Sequence, residues 1–195
     1  AMARHCAAES IVLLENDGVL PLKQGSRVAI VGEFAEIPRY QGAGSSLVNP
    51  TKVENLIENL KGKGLNLTGF AKGYTRECEG ADLDLIHEAV QLCAGADVIL
   101  LCMGLDERSE IEGQDRTHLE LPESQTALLH AISRVNANIV LVLSGGAPFR
   151  LPESGTFRAA IHGYLSGQAG GPAMADALLG TVNPSGKLSE TWPLS

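Results

Sequence analysis

The acidic loop, residues 106–118, carries the densest set of side chains that could do chemistry. Its first eleven residues hold five carboxylates and two guanidiniums, interrupted by Ile111 and Gly113. Glu110 and Glu112 are separated by one residue, and we expect them to have different surroundings. Carboxyl groups can move protons to and from a reacting bond, and long loops in compact domains are disproportionately functional. The alternative interpretation is a solvated loop whose opposite charges offset one another.

Other candidate motifs are weaker. The run from Gly42 to Ser46 lacks the third glycine of a dinucleotide-binding fingerprint and the Gly-Lys-Ser/Thr ending of a phosphate loop, so close approach of another chain or domain is its more plausible use. His118 could carry a proton or donate a hydrogen bond to a sugar. It does not complete a catalytic triad, because the segment beginning at Ser144 is not a Gly-x-Ser-x-Gly nucleophile elbow.

Composition excludes several classes of function. The net charge of −8 disfavours nucleic acid, which needs a cationic face. Aromatic residues make up only 4% of the chain, which disfavours a lectin-like module that stacks sugars. The longest apolar run, residues 98–103, is too short to span a bilayer. Residues 1–5 lack an apolar signal core, and we therefore expect a cytoplasmic protein that does not contact a membrane.

Cysteine and histidine are too dispersed to indicate a metal centre. The four cysteines are Cys6, Cys78, Cys93 and Cys102, with no Cys-x-x-Cys pair. We expect reduced structural thiols. No metal and no cofactor is expected.

Apolar runs and amphipathic segments alternate along the chain and predict the fold. The predicted helices are residues 3–15, 51–61, 82–94, 122–135 and 171–179, with Thr51 and Glu54 forming a capping box. The predicted strands are residues 27–31, 65–70, 98–103, 139–143 and 159–164. Strands that are apolar throughout are typical of a parallel sheet covered by helices on both faces. The sequence therefore predicts a single α/β domain over residues 1–195, three layers deep with a mostly parallel sheet.

Ligands bind such sheets in the loops that follow the carboxyl ends of the strands. Four loops of this kind contain unusual sequence, and we expect them to converge on one edge. They are residues 33–49, 104–121, 144–148 and 166–171.

Four segments resemble the second domain of glycoside hydrolase family 3, and the similarity is greatest to bacterial β-glucosidases. They are residues 7–22 (AAESIVLLENDGVLPL), 139–148 (IVLVLSGGAP), 163–171 (GYLSGQAGG) and 183–188 (NPSGKL). The resemblance implies an (α/β)6 sandwich that packs beside a (β/α)8 barrel. It also implies a retaining glycosidase that hydrolyses terminal β-D-glucosyl residues of a β-glucoside or oligosaccharide.

The resemblance also assigns roles to residues. The family pattern Glu-Gly-x-Asp-Arg stands here at residues 112–116, which implies that Glu112 is the general acid/base. Glu110 is the alternative, because this loop varies in length within the family. Ser45 resembles a position near the sugar, and Arg116 and His118 are candidate substrate contacts. Gln114, also within the pattern, stands where an aromatic residue is frequent.

The implied nucleophile is an Asp on the barrel, and retaining hydrolysis needs the two carboxyl groups roughly 5–5.5 Å apart. A barrel alone takes about 250 residues, more than this chain contains. We therefore expect the chain alone to be inactive and its acidic loop to be mobile without the barrel. The remaining alternatives are a non-catalytic interaction domain of the same fold and a flavodoxin-like nucleotide-binding domain.

Overall fold

The buried strands of the sheet organise the fold. The computed structural model describes residues 1–76 and 80–193, and its strands are β1 (Val12–Asn16), β2 (Arg27–Val31), β3 (Asn66–Ala71), β4 (Val98–Gly104), β5 (Ile139–Ser144) and β6 (Ala159–His162). They form one sheet in the order β1-β6-β5-β4-β2-β3. β1 is antiparallel to β6, and the other neighbours are parallel. All residues of β4 are buried, because helices cover both faces of the sheet.

Five α-helices of the described chain lie in two layers. They are α1 (Met2–Ser10), α2 (Leu56–Leu60), α3 (Leu83–Ala94), α4 (Glu123–Ser133) and α5 (Gly170–Leu178). α1 and α2 contact α5 on one face, and α3 contacts α4 on the other. Alternate residues of β4 enter the two apolar cores: Leu100 packs in the first and Leu101 in the second. The predicted three-layer α/β sandwich with a mostly parallel sheet is confirmed.

The prediction of one helix over residues 3–15 is wrong in its second half. α1 ends at Ser10, and residues 12–16 form β1. This segment covers the outer edge of β6, with Val12 opposite His162 and Asn16 opposite Ala159. The local apolar spacing also suited a helix, and long-range strand pairing overrode that preference.

The second predicted helix also begins later than expected. α2 starts at Leu56, and Asn55, not Thr51, caps it by accepting a hydrogen bond from the Glu58 N–H at 2.9 Å. The N–H of Glu54 instead donates to the carbonyl of Gln168 at 3.0 Å. This contact holds the chain extended, so the predicted capping box does not form.

The cysteines of the described chain are free thiols. Cys93 and Cys102 are buried and Cys6 is exposed. Burial raises the pKa of both the Cys93 and the Cys102 thiols to about 12, so they behave as small apolar side chains. Cys78 lies outside the described residues. In the described part of the chain, no helix combines the length and the apolar character needed to cross a membrane.

Candidate active site

The loops that follow β2, β4, β5 and β6 meet at one edge of the sheet, as predicted. The loop after β2 joins the loop after β6 where the Gly167 N–H donates to the Tyr40 carbonyl at 2.9 Å. It joins the acidic loop through a parallel bridge between Ala43 and Ile111. Residues distant in sequence are thereby brought together at one surface.

Glycine lets the chain leave the tightly packed strands at this edge. Gly104 ends β4 with a φ of +145°, and a Cβ there would lie 1.8 Å from the Ser144 carbonyl oxygen. Gly32 follows β2 with a φ of +105°, and its Cβ would lie 2.0 Å from the Cys102 carbonyl oxygen. Any larger residue would push neighbouring strands apart, so the two glycines fix how the site loops depart from the sheet.

Glu112 lies exposed at the outer surface of the loop cluster. Its carboxylate accepts a hydrogen bond from the hydroxyl of Ser45, which is also exposed and lies in a short 3-10 helix, Gly44–Ser46. Gly44 has a φ of +75°, and a Cβ there would be 3.4 Å from the Glu112 Cβ. The two loops therefore approach closely enough to hold a hydroxyl against a solvent-facing carboxylate.

Glu110, two residues earlier, faces inward. Its Oε1 accepts hydrogen bonds from the N–H groups of Gly146 at 2.8 Å and Ala147 at 2.7 Å. Its Oε2 lies 3.5 Å from Nη2 of Arg39. The Glu110 side chain is only 10% exposed, so the two candidate acids have very different surroundings, as expected.

A network of charges fixes the start of the acidic loop. Arg76 donates to Glu107 at 3.0 Å and to Glu33 at 3.3 Å, and it also donates to the carbonyl of Ile37. Burial opposes ionisation of the Glu33 carboxyl, but the Lys72 ammonium at 2.8 Å and the backbone and charge of Arg76 outweigh it and lower the pKa of Glu33. The network therefore links the loops after β2 and β4 by ion pairs.

The remaining predicted site residues lie on the other side of the acidic loop. Nη2 of Arg116 donates to the Pro148 carbonyl at 2.6 Å. Arg116 and His118 line an open cavity of about 580 Å³ between the acidic loop and the start of α4. Neither Glu112 nor Ser45 lines this cavity. The structure therefore brings Ser45 to Glu112, and it groups Arg116 with His118 separately.

Sequence reasoning missed Arg39, Arg76 and Glu33. Arg39 is 1% exposed, and no pattern in its neighbourhood distinguishes it from a surface arginine. Glu33 follows the glycine that ends β2, a position that could have drawn attention to it. Metal binding finds no support in residues 1–76 and 80–193, where no group of three His, Cys, Asp or Glu side chains is arranged to hold an ion.

The fold and these loops define a three-layer α/β domain that presents a carboxylate at the carboxyl edge of its sheet. Residues 11–195 match the family model described as "Glycosyl hydrolase family 3 C-terminal domain". The chain belongs to glycoside hydrolase family 3.

Curated relatives and solved structures agree with this assignment. The chain is 45% identical over 197 residues to "Thermostable beta-glucosidase B" of Acetivibrio thermocellus, covering 99% of this chain and 26% of that protein. It is 42% identical to "Exo-alpha-(1->6)-L-arabinopyranosidase" of Bifidobacterium longum, with coverage of 99% and 27%. The solved GH3 β-glucosidase of Bifidobacterium adolescentis superposes with a TM-score of 0.93 at 44% identity, covering 98% of this chain and 28% of that one. The chain thus spans about a quarter of the length of these relatives.

Proposed function

We propose that this chain is the sandwich domain of a retaining β-glucosidase, in which Glu112 is the general acid/base. The enzyme would hydrolyse terminal β-D-glucosyl residues of a β-glucoside or oligosaccharide. An Asp on a (β/α)8 barrel outside this chain would be the nucleophile. The names of the β-glucosidase relatives support the reaction, and their greater length supports a second domain.

The assignment of Glu112 as the acid/base rests on how its surroundings differ from those of Glu110. A general acid must bring an oxygen within hydrogen-bond reach of the leaving group. The Glu112 carboxylate lies at the exposed edge beside the Ser45 hydroxyl. Both oxygens of Glu110 are directed at groups of its own domain. Glu112 can meet a substrate held between two domains, and Glu110 cannot do so without leaving these partners.

In the first step, protonated Glu112 gives its proton to the glycosidic oxygen while the barrel Asp attacks the anomeric carbon. The bond to the aglycone breaks, and a covalent glycosyl-enzyme forms. In the second step, the Glu112 carboxylate takes a proton from water, which attacks the anomeric carbon and releases the Asp.

This division of labour makes the chain half of an active site. The acid/base lies here, and the attacking carboxylate lies on the barrel. The 195-residue chain is therefore expected to be inactive alone. A non-catalytic role for the domain is the rival, and it would make Glu112 dispensable in the full-length enzyme. A flavodoxin-like nucleotide site is disfavoured because the Gly42–Ser46 run packs against the acidic loop.

A second sugar specificity has support of its own. The arabinopyranosidase relative is almost as similar to this chain as the β-glucosidase is. The sugar ring would be held largely by the barrel, so this domain does not choose between the two. Comparing full-length enzyme on aryl β-D-glucopyranoside and aryl α-L-arabinopyranoside substrates separates the two specificities.

The test of the acid/base assignment is Glu112→Ala in the full-length enzyme. We expect a large loss of rate on alkyl glucosides, whose leaving groups need a proton. With dinitrophenyl glucoside the glycosyl-enzyme should still form readily, because its leaving group needs no proton. Azide should then restore turnover of this substrate by attacking the glycosyl-enzyme to form the glycosyl azide. Glu88→Gln, on the exposed surface of α3, serves as the control. An equal loss across all leaving groups with no azide effect would refute the assignment.

A further inference from the structure

We propose that Glu110 is a positioning residue that anchors the acidic loop and so sets where Glu112 stands. The proposal rests on the assignment of Glu112 as the acid/base. Glu110 would not touch the substrate. It would act through the backbone of the loop, which continues from Glu110 through Ile111 to Glu112.

The anchor joins three of the four site loops. Glu110 belongs to the loop after β4, and the Gly146 and Ala147 N–H groups belong to the loop after β5. Arg39 belongs to the loop after β2. Hydrogen bonds from N–H groups to a carboxylate are about twice as strong as those between neutral groups, and Glu110 accepts them from two successive residues. Glu110 is therefore well placed to hold the three loops in register.

The buried guanidinium of Arg39 strengthens the argument. Its side chain is 0% exposed, and burying a charge is costly unless an opposite charge lies close. Glu110 supplies a carboxylate 3.5 Å from Nη2. Nε and Nη1 of Arg39 have no hydrogen-bond partner among the described residues. Removing the Glu110 carboxylate would therefore leave a buried charge poorly compensated, and the loops around it would shift.

The chain between Glu110 and Glu112 is also restrained. Ile111 forms the bridge to Ala43, and Gly113 follows with a φ of +85°. Glu112 therefore emerges between an anchored residue and a turn. The Glu112 carboxylate itself accepts the exposed hydrogen bond from Ser45. A displacement of about 1 Å in such a group can cost about 100-fold in rate.

The test compares Glu110→Ala, Glu110→Gln and Glu112→Ala in the full-length enzyme, with Glu88→Gln as control. Rates are expressed per active site, and the number of active sites is taken from the burst of dinitrophenol released from dinitrophenyl glucoside. Loss of folded protein therefore does not affect the comparison. We expect Glu110→Ala to lower kcat on alkyl glucosides by about 10- to 100-fold with a smaller change in KM. Azide should not restore it, because the Glu112 carboxylate remains. Glu110→Gln keeps an oxygen for the two N–H donors and should recover much of the rate.

The outcomes separate the two proposals. If azide rescues Glu110→Ala and not Glu112→Ala, Glu110 is the acid/base, and both proposals fail. If Glu112→Ala behaves as an acid/base variant while Glu110→Ala matches the control in kcat, KM and leaving-group dependence, the positioning role alone is overturned.

A second variant covers the case in which Glu110→Ala does not fold. A Cβ at Gly146 would lie 3.2 Å from Cδ1 of Leu165 and 3.3 Å from Oε1 of Glu110, so Gly146→Ala wedges a methyl group between the anchor and Leu165 without removing a charge. We expect it to speed hydrogen exchange at residues 111–114 relative to the strands and to lower kcat with the same leaving-group pattern. Unchanged exchange and wild-type kcat in Gly146→Ala would contradict the proposal.

Discussion

The Ser45 hydroxyl donates a hydrogen bond to the Glu112 carboxylate and so joins the loop after β2 to the acidic loop. The two residues are 67 positions apart in the chain. They meet because β2 and β4 are parallel neighbours whose carboxyl ends open on the same edge. Ser45 is thus in a position to orient the proposed acid/base.

Replacing Ser45 by Ala should weaken proton donation. The lost hydrogen bond is worth about 1 kcal/mol, which corresponds to about a fivefold loss in kcat/KM on an alkyl glucoside. Dinitrophenyl glucoside should be affected less, because its leaving group needs no proton. Ser46→Ala is the matched control, since the Ser46 hydroxyl donates within its own turn to the Ala43 carbonyl. Equal losses in the two variants would argue against a role for Ser45.

Much of the fold was predictable because its central strands are buried on both faces. β4 and β5 are apolar along almost their whole length, and no other arrangement hides such segments so well. β1 was not predictable in this way. Its residues fit a helix locally, and they form a strand only because β6, far along the chain, offers an open edge.

The candidate site was predictable in part. The convergence of the loops follows from the parallel order of strands, and the choice of Glu112 came from resemblance to a family. The inward direction of Glu110 and the burial of Arg39 were not predictable. They depend on where the backbone N–H groups of Gly146 and Ala147 come to lie in three dimensions, which no local pattern encodes.

Replacing Glu33 by Gln should destabilise the domain. The Glu33 side chain is 7% exposed and pairs with Lys72 and Arg76, so the loss should be about 1–3 kcal/mol at neutral pH. Because the folded pKa of Glu33 lies below the unfolded value, its contribution is present above the unfolded pKa and is lost as pH falls through the folded one. Urea unfolding should therefore show that the difference in free energy of unfolding between wild type and Glu33→Gln narrows in acid. The exposed Glu9→Gln provides the comparison, and a gap independent of pH would count against this account.

Gly104→Ala should be severely destabilising. The new Cβ would meet the Ser144 carbonyl oxygen at 1.8 Å, and the φ of +145° disfavours any side chain. We expect a loss above about 3 kcal/mol, or failure to fold. Gly95→Ala is the control, because a Cβ there meets nothing within 4 Å and φ is negative. Thermal unfolding of both variants checks the difference, and similar melting temperatures would disprove the steric explanation.

His162 should make the domain sensitive to acid. It is fully buried, next to Phe149, Tyr164 and Trp192, and burial lowers its pKa to about 4. As pH falls, the unfolded chain binds a proton at His162 near pH 6.5, whereas the folded chain binds it only near pH 4. Stability should therefore fall by up to about 1.4 kcal/mol per pH unit between 6.5 and 4. His162→Phe should flatten this part of the profile, whereas the exposed His118→Gln should leave it unchanged. The same slope in all three proteins would rule out His162 as its source.

The isolated chain should not hydrolyse a glucoside, and beyond the Glu110 anchor its acidic loop should be less rigid than the strands. Ser45 and Glu112 are both exposed here, and burial against a barrel would both restrain the loop and complete the pair of carboxylates. The two effects can be measured on the same sample. Hydrogen exchange at residues 111–118 should be much faster than in β4 and β5, and an aryl β-glucoside should not be turned over. Adding the barrel domain as a separate polypeptide should slow exchange in the loop if the two halves associate. A loop as well protected as the strands, or stoichiometric turnover by the chain alone, would contradict the proposed division of the active site.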